Sequence, residues 1–300
     1  MYEDIKKNKF KSGIIVTIFF LLVSLAIYSV CYLLDLGEYA IIFSMIFAII
    51  STIVTYYNCD KLVLASVRAR PATYEEDLQL SNILDGLLVA SGMTEVKPKL
   101  YVVESNQPNA FATGRNPEHS IICVTTGLLE KLNYRELEGV VAHELSHIKN
   151  YDILLSAIIS VMAGFVVMLS NIIFRGRFIR SGRSRKSDND SKSSIEIILF
   201  LVGIIFLILS PIITKLIQLA VSRRREYLAD ATAISFTRNP EGLISALKKI
   251  SNDDSKLETA SDANSFMYIE EPNVMRRFKN DMFSTHPNIS DRIKALENLK

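Results

Sequence analysis

The residues most able to do chemistry in this 300-residue chain are His143-Glu144-Leu145-Ser146-His147, a His-Glu-x-x-His pattern. On a helix, residues i and i+4 stand about 40° apart on one face, so His143 and His147 can bind a single metal ion. Glu144, between them, is placed to polarise a water at the metal, take its proton and deliver one to a leaving amine, the chemistry of metal-assisted peptide hydrolysis. From Arg135 to Ile148 the apolar residues Leu137, Val141, Leu145 and Ile148 recur at helical spacing. They predict a stripe packed on the face roughly opposite the histidines, which would then face a cleft.

A catalytic zinc site uses three protein ligands and keeps one position open. His119 and His286 are candidates for the third ligand, and Glu226 is a better one. It lies in Arg223-Arg-Arg-Glu226-Tyr-Leu-Ala-Asp230, on an expected helix that puts Glu226 and Asp230 on one face. Asp230 could accept a hydrogen bond from a ligand histidine and so fix its tautomer. Asn109, Ala110, Phe111 and Ala112 could form an edge strand to which an extended substrate adds, bound through its main chain with little sequence preference. They could equally be a core strand ending in a glycine turn. His286 could stabilise the oxyanion of a tetrahedral intermediate or be a surface histidine before a proline. His119, ahead of Ile121 and Ile122, reads as a polar residue at a strand end.

Elements that position these residues follow from composition. The chain is 49% hydrophobic and 22% charged, with mean hydropathy +0.23, too apolar for global disorder and unusually so for a soluble domain. A net charge of +2 offers no basic field for nucleic acid. Cys31, Cys59 and Cys123 are far apart and odd in number, against a disulfide scaffold or a thiolate metal centre.

Four apolar segments, 13–34, 39–57, 153–174 and 197–214, approach the ~20 residues that span a bilayer. Lys6, Lys7, Lys9 and Lys11 precede the first, and the turn after it has no cation, which puts the N-terminus and the domain after the hairpin in the cytoplasm. The seven cations of loop 175–194 oppose translocation, so segments three and four either cross fully or enter from the cytoplasmic side and return. Both arrangements bring Glu226 back beside His147. Tyr28, Tyr32, Tyr56 and Tyr57 fall at interfacial depths, Arg223, Arg224 and Arg225 read as an anchor to anionic headgroups, and 181–194 reads as disordered.

Between the hairpins, Thr73-x-x-Glu76 predicts a capping box opening a helix that stops at Gly92. Leu100–Val103 and Ser120–Val124, with Asn109–Gly114 between them, predict a small sheet. Pro240 after Asn239 starts a helix, 252–271 reads as a long surface loop, and a helix follows Ile289. The expected architecture is therefore α+β, mostly helical: an N-terminal transmembrane hairpin 1–57; a first part of a cytoplasmic protease domain 58–152; a hydrophobic hairpin 153–221; and a second part of the domain 222–300.

Asn109-Ala-Phe-Ala-Thr-Gly114, Arg135-Glu-Leu-Glu-Gly-Val-Val-Ala-His143-Glu144-Leu-Ser-His147, Arg225-Glu226-Tyr-Leu-Ala-Asp230 and Thr285-His286-Pro287 together resemble the HtpX family of integral membrane zinc metalloproteases, related to the CAAX prenyl proteases. The resemblance spans nearly the whole chain. It implies a zincin-like protease domain holding one Zn2+ per subunit on His143, His147 and Glu226, with Glu144 as general base and Asp230 supporting the ligands. It also implies a multi-pass cell-membrane protein whose cytoplasmic active site degrades misfolded or damaged membrane proteins under stress. Expected partners are unfolded or membrane protein substrates and the bilayer, with no nucleic acid; oligomeric state is unspecified. The competing class is an inert membrane adaptor with a protease-like fold, against which stand Glu144, both histidines and the third carboxylate.

Overall fold

The structure, a computed structural model, describes residues 2–33, 37, 39–164, 223–261, 264–270 and 287–298. Residues 165–174 of the third apolar segment, all of loop 175–194, all of the fourth segment, and His286 therefore lie outside the described residues.

Uninterrupted apolar sequence gives two long helices, α1 (Tyr2–Leu33) and α2 (Tyr39–Ser66), both long and apolar enough to cross a membrane. Along the apolar stretch of α2, large side chains between Ile41 and Tyr57 remain 45–59% exposed, a surface suited to lipid rather than water. Helical geometry breaks at Asn58 (φ −123°, ψ 17°), where the expected second segment ends. The continuation, through Cys59, Val63 and Val67, enters the protein core. The start of the third apolar segment forms α6 (Asp152–Gly164). Its Leu155, Ile158, Ile159 and Met162 pack on Ile15, Phe19 and Val23 of α1, so α1 is built into the domain rather than tethered to it.

A four-stranded mixed sheet comprises β1 (Arg70–Pro71), β2 (Lys99–Val103), β3 (Ala110–Gly114) and β4 (Ser120–Thr125), in the order β1-β2-β4-β3. β2 and β4 are parallel and the outer pairs antiparallel. Side chains alternate between two buried faces. Leu100, Val102, Ala110, Ala112, Ile122 and Val124 meet the helices on one side. On the other, Val103, Phe111, Ile121 and Cys123 meet the end of α2 and Ala157 of α6. Covering on both faces explains why β3 and β4 carry almost no polar alternation.

Helix α3 (Tyr74–Ser91) begins with the expected Thr73/Glu76 capping box and ends at Gly92 in a left-handed conformation (φ 71°). α4 (Thr126–Lys131) leads into α5 (Tyr134–Lys149), which carries His143, Glu144 and His147 and which a second capping box opens: Asn133 N donates to Glu136 Oε2 at 2.8 Å and Glu136 N to Asn133 Oδ1 at 3.1 Å. α7 (Arg223–Thr237), α8 (Pro240–Ser251, capped by Asn239) and α9 (Ile289–Glu297) complete the chain. Gly139 allows α8 to approach α5 closely, since a Cβ there would lie 2.8 Å from the Leu243 nitrogen.

Two expectations are corrected. α5 is not one-faced: His143 and Glu144 are as buried as Leu137 and Val141, because α3, α7, α8 and the sheet surround it. Nor is the segment expected as a surface loop at 252–271 on the surface throughout: Asn252, Asp254, Lys256 and Glu258 are exposed, but its later part is not. Leu257, Phe266, Tyr268, Ile269 and Glu270 are buried, Tyr268 stacking edge-on against Phe111 with centroids 5.1 Å apart. Ile269 N donates to Ala110 O at 2.9 Å, so this segment covers the start of β3.

Candidate active site

Helix α5 aims His143 and His147 at one point, with Nε2 atoms 3.2 Å apart. Helix α7 brings in Glu226, with Oε2 3.6 Å from His143 Nε2 and Oε1 3.8 Å from His147 Nε2. The Nδ1 atoms decide what the Nε2 atoms can be. His143 Nδ1 lies 2.9 Å from Asp230 Oδ1, and His147 Nδ1 lies 3.1 Å from Asp152 Oδ2. A carboxylate accepts, so each Nδ1 carries the proton and each Nε2 presents a lone pair. The close Nε2 pair is then not a hydrogen bond, and the 3.4 Å approach of Arg292 Nη2 to His143 Nδ1 is likewise donor facing donor.

With both rings neutral in that tautomer, two lone pairs and a carboxylate converge on one point, a donor set suited to a cation. Candidate ligand atoms of His143, His147 and Glu226 all lie within 4.8 Å of one another. Tetrahedral zinc, with bonds of about 2.0–2.1 Å, needs ligand atoms roughly 3.4 Å apart, close to the separations found. The surrounding charge agrees: Glu144, Asp152, Glu226 and Asp230 face the cluster against Arg225 and Arg292. Burial pushes the His143 imidazole down, but the carboxylates of Asp230 and Glu226 outweigh it and hold the group up at about 9, so without an ion the ring keeps a second proton at Nε2, which a divalent cation entering this negative field displaces.

Glu144 is 1% exposed, and its Oε1 has no hydrogen-bond partner among the described residues. Burial pushes its carboxyl up, opposed by the two histidines. A cleft of about 40 Å³ opens on these groups, lined also by Ala112, Ser156, Met267 and Tyr268. That volume holds a water or two.

Of the expected substrate strand, Ala112 alone lines this cleft. Asn109 is instead a strut: its Nδ2 donates to Glu270 O at 2.9 Å and its Oδ1 accepts from Ala110 N at 3.1 Å, while Phe111 faces Tyr268. His119 lies exposed, capped by Asn116 and away from the cluster. Arg225 is no headgroup anchor. It is half-buried, its Nη1 donating to Asp152 Oδ1 at 3.2 Å, whereas Arg223 and Arg224 are exposed.

Three participants went unread in the sequence. Fully buried Arg292 grips Asp230 with two donors, Nε to Oδ2 at 2.9 Å and Nη2 to Oδ1 at 2.6 Å, and gives Nη1 to Ile269 O. It holds the Asp230 carboxyl, which burial alone would raise, down at about 2. Asp152 does for His147 what Asp230 does for His143, and its position one turn past His147 was the available signal. Asn8 reaches Asp152 from α1.

A cation site of two histidines and a carboxylate, with a buried carboxylate poised beside it and an edge strand at its rim, defines a metallopeptidase, here carried on an apolar helical hairpin. The sequence profile of peptidase family M48 matches residues 75–300. A protease HtpX homologue of Caldanaerobacter subterraneus is 41% identical over all of this chain and 98% of its own length, and one of Listeria monocytogenes 40% identical over the full length of both. The crystal structure of S. mikatae Ste24p aligns with 99% of this chain and 67% of that one at 18% identity and a TM-score of 0.49, a likeness too distant to carry an inference. The chain belongs to peptidase family M48 and, within it, to the HtpX proteases; it is a membrane metalloprotease.

Proposed function

We propose that the protein is a zinc endopeptidase that cuts unfolded or damaged membrane proteins at the cytoplasmic surface of the cell membrane, with His143, His147 and Glu226 holding one Zn2+ and Glu144 carrying the proton. The convergence of two Nε2 lone pairs and one carboxylate, each imidazole oriented by its own aspartate, supports this best. Zinc, when bound, acts as a Lewis acid on the scissile carbonyl and acidifies water. Glu144 takes the proton from the attacking water and passes it to the leaving nitrogen. Asp230 and Asp152 keep both imidazoles in the tautomer that presents Nε2.

Substrate is held as an added strand. Register places the backbone groups of residues 109, 111 and 113 towards β4 and those of 110 and 112 outward. Ile269 N already bonds Ala110 O. Ala112, beside Glu144 in the cleft, is then where the N–H and C=O of a substrate residue pair. Main-chain recognition suits unfolded chains of many sequences. His286 completes the reading as donor to the oxyanion.

The topology proposed is an N-terminal hairpin with both ends cytoplasmic, protease parts 58–152 and 222–300, and a second hydrophobic hairpin 153–221 between them. The lysines in the first turns of α1, ahead of its apolar stretch, and the contact of Asn8 with Asp152 beside the site support it.

The test is cleavage of an unfolded soluble protein by wild type and Glu144→Gln, both purified in detergent with zinc. Wild type is expected to cut and the variant to lose at least a hundredfold in rate, as removal of a general base does. Equal cutting by both would remove Glu144 from the mechanism. Cutting by neither, with zinc bound, would favour the adaptor.

A further inference from the structure

The cytoplasmic end of the first membrane helix reaches the ligand sphere of the active site. Asn8 is 5% exposed although it lies at the start of an apolar helix, and its Nδ2 donates to Asp152 Oδ1 at 2.6 Å and to Asn150 O at 3.0 Å. The other oxygen of Asp152 accepts from His147 Nδ1. Between those two partners, Tyr151 sits in the left-handed region at φ 59°, a conformation costly for a residue with a Cβ and kept only where the surroundings impose it. Lys9, next along α1, places Nζ 4.2 Å from the centre of the Tyr151 ring. Two successive residues of α1 thus clamp the turn that joins the catalytic helix α5 to α6.

We propose that Asn8 is a positioning residue of the metal centre. By fixing the Asp152 carboxylate it holds the His147 ring at the angle zinc requires, and so makes metal affinity depend on the first turns of α1 through this one side chain. The helix is long enough for an anchor without this contact, and an anchor alone needs no buried amide aimed at a carboxylate. Arg225, the other donor to Asp152 Oδ1, lies at 3.2 Å, so Asn8 makes the shorter contact.

This inference rests on the zinc reading above. Its test uses the full chain in detergent, measuring Zn2+ affinity by competition with a chromophoric chelator and the visible absorption of the Co2+-substituted protein. Asn8→Ala is expected to weaken Zn2+ binding about tenfold, the lower end for loss of a partner behind a ligand, and to shift the Co2+ bands. Asn8→Asp keeps the shape but sets carboxylate against carboxylate, and is expected to weaken binding further. Ile15→Ala, on the same helix where it packs on α6, is expected to lower the thermal midpoint while leaving affinity and spectrum unchanged. Wild-type affinity in both Asn8 variants, or an equal loss in Ile15→Ala, would overturn the coupling and leave the zinc reading standing. Failure of wild type to bind Zn2+ would overturn both.

Discussion

Arg292 has no solvent exposure, and its guanidinium is fully occupied by Asp230 and the Ile269 carbonyl. Replacing it with methionine would fill much of the space and leave Asp230 buried without its cation. Breaking a buried pair on one side costs about 3–5 kcal/mol, so Arg292→Met is expected to unfold well below wild type in a thermal or denaturant titration. A loss under about 1 kcal/mol would mean that Asp230 has another source of charge compensation. Arg292 was unreadable in the sequence because its partner lies 62 residues away and an arginine on a short polar helix looks like any solvated one. His143, Glu144 and His147 were readable because their relation is local, set by one helical turn. Glu226 with Asp230 repeats that local relation, and only their meeting with α5 needed the fold.

At the scale of elements, the helix starts at Thr73 and Asn239 were legible from a side chain that caps the backbone within three residues, whereas the same signal at Asn133 and Glu136 went unread. The depth of 252–271 was not legible. Its polar residues hid Leu257 and Tyr268, buried in the cluster that holds Phe111 of β3, and Phe266, buried among residues of α1 and α6, all elements distant in sequence. The cap at Thr73 also carries a pH dependence. Arg70 grips both oxygens of Glu76, at 2.7 and 2.8 Å, and holds its carboxyl well below the ordinary 4.5, at about 2, against the opposing effect of burial. A depressed folded-state pKa gives stability that is present above the unfolded value and drains away as pH falls from about 4.5 towards 2. Wild type is therefore expected to melt above Glu76→Gln at pH 6, the gap narrowing below pH 4.5. A gap independent of pH between 6 and 3 would mean that the charge of Glu76 contributes nothing.

Across the whole molecule, the sheet lies between helices α3, α5 and α8 and the end of α2, and Asn8 of α1 touches Asp152 beside the cleft, so the proposed topology requires the start of α1 and the cleft to share one side of the membrane. Lys6 and Lys99 are exposed, whereas Cys31, Cys59 and Cys123 are buried, which leaves little background for thiol labelling. Lys6→Cys and Lys99→Cys are both expected to react with a membrane-impermeant maleimide in inverted vesicles and to be protected in right-side-out ones; opposite patterns would break the hairpin topology. The hairpin was legible from apolar length alone, whereas the packing of α1 on α6 was not, since lipid-facing and helix-facing residues are equally apolar. Everything in the account depends on three side chains from two helices, 143, 147 and 226, meeting at one ion. The most direct measurement is the zinc content per chain of wild type, Glu144→Gln and Glu226→Ala after purification in detergent and dialysis. The expected result is one zinc in the first two and far less than one in Glu226→Ala. A full equivalent retained by Glu226→Ala would contradict the assignment of the third ligand and with it the proposed centre.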